Sequence, residues 1–192
     1  FILTMANIKS LPIEQFLSNL AAKQPTPGGG AAAAVGGAIG SAAASMAAAY
    51  TRRKKDKESG AATRAESLIA SLDSSPFLQA ADDDAAAYAD LQRTWKEGDM
   101  PVDEKSAIEA RALAVPTSLL ESCHSRIMEV RDFLPHCNPN ITSDAKVGIH
   151  QLAGAARAAY QTVLVNSPPE EEKMRLSKLL KEIRDLEDEI LT

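Results

Sequence analysis

Aromatic residues are scarce in this 192-residue chain, which has one Trp, three Tyr and four Phe. Hydrophobic residues still make up 45% of it, and alanine supplies much of that share. A core of such small side chains needs closely spaced backbones, and alanine favours helices and is depleted in sheets. No alternating pattern of useful length predicts a strand. We therefore expect an all-α, single-domain helical bundle over residues 1–192, with 1–7 as a flexible or tag-derived start.

Cysteine and positive charge are also in short supply. Cys123 and Cys137 are too few for a disulfide scaffold and lack a metal-binding spacing, which favours reduced thiols in the cytoplasm. The net charge of −5 argues against general nucleic-acid binding, which needs basic surfaces. No secretory signal is apparent. The histidines lack tight ligand spacing, so we expect no metal; they are His124, His136 and His150.

Apolar spacing and helix-breaking residues divide the chain into helices. The predicted helices cover 8–23, 63–72, 77–95, 103–133 and 143–165, and a final helix carries the stripe Leu176, Leu179, Ile183, Leu186 and Ile190. The breaks are Pro25 and the segments 98–101, 135–140 and 167–169. Pro116 leaves open whether 103–133 is one kinked helix or two consecutive helices.

The stretch PTPGGGAAAAVGGAIGSAAASMAAAY, residues 25–50, carries no charge. By length alone it permits a membrane span, with the basic segment 52–55 as a cytoplasmic flank. Such spans are normally rich in leucine, however, and the strongly apolar residues here are only Val35, Ile39 and Met46. We therefore expect no membrane insertion.

The same stretch fits two other familiar classes poorly. Flexible linkers are rich in serine as well as glycine, and a phosphate-binding loop follows a strand and ends in Gly-Lys-Ser/Thr. A buried helix remains, whose small faces at Gly36 and Gly40 let another helix approach closely. The glycines Gly28, Gly29 and Gly30 before it are either a simple turn or a set of exposed N–H groups that hold an anion or a polar ring.

The motif AADDDAAAY places a carboxylate on an apolar helix face. The stripe with helical spacing consists of Phe77, Ala81, Asp84, Tyr88, Leu91 and Trp95, and Asp82 and Asp83 lie off it. Burial of Asp84 raises its pKa towards values useful for proton transfer. The alternative is a buried structural ion pair with an arginine or lysine.

Two further segments are polar. CNPNITSDA gathers Asn138, Asn140, Thr142, Ser143 and Asp144 at the entry of a helix. Capping explains one or two of these residues, so a polar site is the second interpretation. The basic segment Arg52, Arg53, Lys54 and Lys55 is either a solvated helix end or a dock for an anionic group.

PTPGGG, the small-residue helix, DDDAAAY, NPNITSDA and AYQTVLVN occur in this order from about Ile13 to the C-terminus. In this the chain resembles the formiminotetrahydrofolate cyclodeaminase and methenyltetrahydrofolate cyclohydrolase family. The resemblance implies an all-helical subunit, a homodimer built through closely packed Gly/Ala-rich helices, a cytoplasmic role in one-carbon metabolism and a tetrahydrofolate substrate without a metal. A non-catalytic helical interaction module, or a paralogue with altered activity, is the alternative.

The resemblance also implies roles for individual residues. Asp84 is the expected catalytic carboxylate, with Asp82 or Asp144 as helper. The expected substrate-binding residues are Pro27, Gly28, Gly29, Gly30, Lys54, Lys55, Tyr88, Asn138, Asn140, Ser143 and Asn166. The chain departs from the pattern at Ala31, where serine is common, at Arg53, where glycine is usual, and at Thr162, where asparagine is usual. Hydrolysis of methenyltetrahydrofolate and cyclodeamination of formiminotetrahydrofolate both stay open.

Overall fold

The computed structural model describes residues 7–191, so residues 1–6 of the expected flexible start lie outside it, as does Thr192. Over this range the chain forms helices and no strand, which confirms the all-α prediction. The α-helices are α1 (Ile13–Ala21), α2 (Gly29–Ala49), α3 (Lys54–Glu58), α4 (Ala61–Ser71), α5 (Ser75–Lys96), α6 (Val102–Phe133), α7 (Thr142–Val165) and α8 (Glu170–Leu191). Short 3-10 turns occupy Ile8–Ser10 and Leu134–His136.

Helix α2 is the centre of the bundle and packs mainly on α7 and α5. It runs antiparallel to α7, because Gly40 lies against Leu152 while Ala44, further along α2, lies against Gly148. A Cβ added to Gly40 would lie 2.8 Å from the backbone N of Leu152. The two backbones are therefore in contact, as the small-residue pattern predicts. At Gly36 an added Cβ would make only ordinary contact, at 3.7 Å.

The charge-free composition of α2 has its explanation in this packing. By length and composition α2 is the one helix of residues 7–191 that could cross a membrane. More than half of it is buried inside the bundle, as for the core helix of a globular domain. Its remaining face is a stripe of small and apolar residues that includes Ala32, Val35, Ile39, Ala42 and Met46.

The predicted helix 8–23 differs from the structure, where it is divided. Pro12 caps α1, and its fixed φ and missing N–H suit a helix start better than an interior. For 103–133 the structure decides between the two alternatives left open, because α6 is a single helix that continues through Pro116. The five-residue α3 was not predicted, and the segment 135–140 begins inside a 3-10 turn.

Candidate active site

A cavity of about 630 Å³ lies between the start of α2, one face of α5 and the end of α7. This volume is typical of small-molecule sites. Its lining residues are Pro25, Thr26, Gly28, Gly29, Gly30, Asp84, Ala87, Tyr88, Leu91, Trp95, Ala112, Ala158, Gln161, Thr162, Val165 and Asn166. Asp84 is the one charged residue in this lining, so the cavity is largely apolar with a single carboxylate.

Asp84 projects from α5 against the first turn of α2. A Cβ added to Gly30 would lie 2.0 Å from Oδ1 of Asp84, so this approach requires glycine at position 30. The backbone N–H of Ala31 donates a hydrogen bond to the carboxylate. Burial raises the pKa of Asp84, and the Ala31 hydrogen bond opposes that rise only in part. Asp84 can therefore hold a proton more readily than an exposed aspartate.

The ion-pair alternative for Asp84 is not what the structure shows. None of the lysine, arginine or histidine side chains in residues 7–191 lies within 4 Å of its carboxylate in an ion pair. Asp84 is half-buried, and such a carboxylate without a cation is costly to ionise because its surroundings are less polar than water. Such a group is a candidate for proton transfer rather than for structural support.

The glycine segment supplies backbone donors to the same cavity. Gly28 is extended and caps α2, whose first residues are Gly29 and Gly30. The first N–H groups of a helix have no intrahelical partner, so these glycines can donate to a ligand atom. Pro27 is buried and does not line the cavity, and its bond to Thr26 is cis.

Asn166 lines the cavity at the end of α7, and it also donates a hydrogen bond to a backbone carbonyl of α6. Pro116 has no N–H, so the carbonyl of Ala112 four residues earlier lacks its usual helical partner. Nδ2 of Asn166 donates to that carbonyl at 3.0 Å and to the carbonyl of Thr162 at 3.0 Å. The side-chain oxygen of Asn166 is then the group that can accept a hydrogen bond from a ligand.

Asp82 lies outside the cavity, although the resemblance implies a helper role for it. It is two residues from Asp84, about 200° around the helix, and faces the turn before α1. Its Oδ1 accepts from the backbone N–H of Lys9 at 3.3 Å, and its Oδ2 lies 3.8 Å from Nζ of Lys9. Asp82 therefore positions the N-terminal segment in this chain.

Asn138 lies at the opposite end of α2. It is buried and joins the end of α2 to the segment before α7: its backbone N–H donates to Oγ1 of Thr51 at 2.9 Å, and its Nδ2 donates to the carbonyl of Tyr50 at 3.2 Å. Its Oδ1 accepts from Asn140 N at 3.1 Å and from Arg53 Nη1 at 2.5 Å. Most of the hydrogen-bonding capacity of Asn138 is thus used inside the protein.

Arg53, one of the departures from the family pattern, forms an ion pair beside Asn138. Its Nε donates to Oδ2 of the buried Asp56 at 2.7 Å. Hydrogen bonds from the Arg53 side chain lower the pKa of Asp56. Lys54 and Lys55 follow on the exposed surface of α3.

Ser143 and Asp144 begin α7 near the same end. Oγ of Ser143 donates to Oδ2 of Asp144 at 3.2 Å. The 21 residues of α2 extend about 30 Å, and α7 runs antiparallel beside it, so this cluster is far from the cavity within one chain. The fold thus gathers the glycines, Asp84, Tyr88 and Asn166 into one site. Asp82 and Pro27 do not line this cavity, and six further predicted residues lie towards the other end of α2: Lys54, Lys55, Asn138, Asn140, Ser143 and Asp144.

Several cavity residues were not predicted as site residues, among them Thr26, Trp95 and Gln161. Trp95 ends the stripe that contains Asp84, so its position was visible in the sequence, but its exposure was not. Thr162, where the family usually has asparagine, also lines the cavity. That departure therefore changes the surface that a ligand meets.

Residues 7–191 contain no group of three or more His, Cys, Asp or Glu side chains that could hold a metal ion. Both cysteines are free and buried, and burial raises the pKa of the Cys123 thiol to about 12. A thiol with so high a pKa is a poor nucleophile, because the reactive form is the thiolate. Asp84 is the one acidic side chain that lines the cavity, and neither cysteine lines it.

The fold and the site together define an all-helical bundle with an unpaired carboxylate in a cavity at a helix N-terminus. A family model described as formiminotransferase-cyclodeaminase matches residues 12–185, so the chain belongs to that family. The crystal structure of formiminotetrahydrofolate cyclodeaminase from Thermotoga maritima is similar, with a TM-score of 0.73 and 22% identity over 94% of this chain and 92% of that one. No curated protein sequence matches the chain. The resemblance drawn from the motifs is confirmed.

Proposed function

We propose that the protein is a cytoplasmic one-carbon tetrahydrofolate enzyme that acts on C–N bonds, with Asp84 as its proton-transfer group. The unpaired Asp84 carboxyl in the cavity beside the α2 N-terminus carries this proposal. Family membership supports a folate as the ligand. The cavity is of the right order to enclose much of a molecule of that size.

In the cyclodeaminase reaction, N10 of formiminotetrahydrofolate attacks the formimino carbon and forms a tetrahedral carbon bonded to three nitrogens. With the formimino group protonated, N10 loses a proton and the exocyclic nitrogen gains it, and the C–N bond to that nitrogen then breaks to release ammonia and leave the methenyl cation. Asp84 can move the proton between these nitrogens, because its raised pKa lets it hold and return a proton. The first-turn N–H groups at Gly29 and Gly30 can orient polar atoms of the pteridine ring.

The cyclohydrolase reaction uses the same carbon. Water adds to the methenyl carbon between N5 and N10, Asp84 accepts a proton from that water, and the C–N5 bond then breaks as N5 is protonated. Both reactions need one carboxyl beside a tetrahedral carbon held between nitrogens. The Asp84 site therefore serves either, and the two are distinguished by whether ammonia is released.

A homodimer would complete this site. The outward stripe of α2 has no charged residue, and its larger members are well exposed, Ile39 at 47% and Met46 at 41%. Contiguous exposed apolar surface of this kind marks an interaction face. A second copy with its α2 packed antiparallel across this face would bring its Lys54 end to the Asp84 end of the first copy.

Charge complementarity favours this arrangement. The cavity of one chain contains Asp84 and no cation, whereas the glutamate tail of a folate is anionic. The basic segment 52–55 of a second copy would supply the positive charge that the tail requires. Asn140, Ser143 and Asp144 would arrive beside the cavity by the same two-fold operation.

Two assays with purified protein test the proposal. One follows the loss of methenyl absorbance above its spontaneous rate, and the other measures ammonia released from formiminotetrahydrofolate. We expect turnover in one of them and its loss in Asp84→Asn, with assembly unchanged. A non-catalytic interaction module would show turnover in neither, and folate would not raise its melting temperature.

A further inference from the structure

Tyr88 and Trp95 form a corner of two aromatic rings at the wall of the Asp84 cavity. Their ring centroids are 6.2 Å apart, and their planes meet at 80°. Both residues line the cavity, with Leu91 between them on the same face of α5. A flat guest ring can therefore stack on one of the two rings while its edge meets the other, which is a favourable arrangement for aromatic groups.

The exposure of Trp95 needs an explanation. It is the only tryptophan of the chain, and it is 65% exposed, although tryptophan is highly buried on average. A structural role in the core does not account for a large apolar ring in this position. A ligand that covers the ring would remove this apolar surface from water.

We propose that Trp95 and Tyr88 bind the p-aminobenzoyl ring of the folate, with the glutamate tail leaving the cavity past Trp95. This inference rests on the proposed function, because it assigns one part of that substrate to one part of the site. It makes Trp95 a specificity-determining residue that recognises the ring beyond the reacting carbon.

Geometry decides which ring of the substrate lies in this corner. Asp84 marks the reacting carbon, and Tyr88 is one helical turn away, about 6 Å along α5, with Trp95 about 16 Å away. The aminobenzoyl ring is attached to N10, next to the reacting carbon, and carries the anionic tail at its far side. A dianionic tail is disfavoured near the half-buried Asp84 carboxyl, so the ring that carries the tail is expected towards the exposed end, at Trp95.

The single tryptophan allows a direct binding measurement. We would titrate the protein with 5-formyltetrahydrofolate, with p-aminobenzoylglutamate and with 6-methyltetrahydropterin, and follow Trp95 emission against N-acetyltryptophanamide as an absorbance control. We expect 5-formyltetrahydrofolate and p-aminobenzoylglutamate to change the Trp95 emission, and 6-methyltetrahydropterin to leave it unchanged. A change with the pterin fragment alone would overturn the ring assignment.

Variants test the contribution of the ring to turnover. Trp95→Ala is expected to raise KM about tenfold, because the guest ring loses its stacking surface. Trp95→Phe should stay within about twofold of wild type, because phenylalanine keeps an aromatic face. Unchanged KM in Trp95→Ala, in a protein that still turns over folate, would overturn this inference and leave the proposed function intact. Absence of folate binding and turnover in the wild type would overturn both.

Discussion

The carboxylate of Asp84 occupies the space that a side chain at Gly30 would need: a Cβ at position 30 would lie 2.0 Å from its Oδ1 and 2.5 Å from its Cγ. The third glycine of the PGGG segment thus belongs to the carboxylate site and is more than part of a turn. Through this contact the start of α2 and the middle of α5 hold each other in register.

Gly30→Ala should therefore displace Asp84 and lower kcat by at least about 100-fold, the usual contribution of a positioned proton-transfer group. Overpacking should also lower the free energy of unfolding, by about 1–3 kcal/mol. Steady-state kinetics and urea unfolding measure the two effects. Gly154→Ala is the matched control, because nothing lies within 4 Å of its added Cβ, and it should keep both values near wild type. Equal kcat values for Gly30→Ala and Gly154→Ala would show that turnover does not depend on the position of the Asp84 carboxylate.

Asp84→Asn should stabilise the protein at neutral pH. Burial raises the pKa of Asp84 in the folded state, so between its unfolded and folded pKa values the folded chain binds more protons. The free energy of unfolding contributed by this group therefore falls as pH rises through that interval and stays low above it. Asparagine cannot ionise, and it keeps an oxygen for the Ala31 N–H.

We expect a higher melting temperature for Asp84→Asn than for wild type at pH 7. The difference should be smaller near pH 4, about the ordinary aspartate pKa, below which wild-type Asp84 becomes protonated in the unfolded state as well as in the folded state. Thermal unfolding at the two pH values measures this. Asp83→Asn, next along α5 and bonded to Gln79, should show no such gain. A lower melting temperature for Asp84→Asn at pH 7 would mean that the ionised carboxylate stabilises α2.

Asn166 and Pro116 should be energetically coupled. Asn166→Ala leaves the Ala112 carbonyl without a donor, which should cost about 1–3 kcal/mol of unfolding free energy. In a Pro116→Ala background the restored N–H at position 116 can serve that carbonyl, so the cost of Asn166→Ala should shrink. A double-mutant cycle by urea unfolding gives the coupling. Additive effects would contradict this account of the continuous α6.

Complementation between copies tests whether two chains build one site. Asp84→Asn and Lys54→Ala are each expected to impair turnover, and the Lys54 side chain is 93% exposed, so its removal should not disturb the fold. In a coexpressed mixture, hybrids carry one site with both residues intact, and roughly a quarter of wild-type activity should return for random pairing of two-fold dimers. If no activity returned, Lys54 of one chain and Asp84 of the other would not belong to one site, and the shared-site arrangement would be wrong.

Much of the fold follows from the sequence. Apolar spacing predicts α5 and α7, and the alanine-rich composition of α2 predicts a helix whose small residues allow close packing on α7. Pro116 shows the limit of such reasoning. A helix can continue through a proline when another donor bonds the carbonyl that the proline leaves without a partner. Here that carbonyl belongs to Ala112, and the donor is Asn166, 50 positions after Pro116. That contact exists only once α6 and α7 are packed together.

The candidate site, too, could be predicted from the sequence only in part. The stripe through Asp84 and Tyr88 predicted a carboxylate on an apolar face, and the structure places both in the cavity. Motif order along the chain could not reveal that Asn138 and Lys54 lie at the far end of α2, since proximity depends on helix length and direction. There, the half-buried Arg53 forms an ion pair with the buried Asp56 and donates to Asn138, so these polar groups have partners within the protein.

The most direct test of the central claim is turnover at the one-carbon bridge by wild-type protein and Asp84→Asn side by side. We would record methenyl absorbance and released ammonia for both proteins, after circular dichroism shows equal folding. The account expects enzyme-dependent conversion by the wild type in one assay and a loss of at least about 100-fold in Asp84→Asn. Equal turnover by the two proteins, or none by the wild type in either assay, would contradict it.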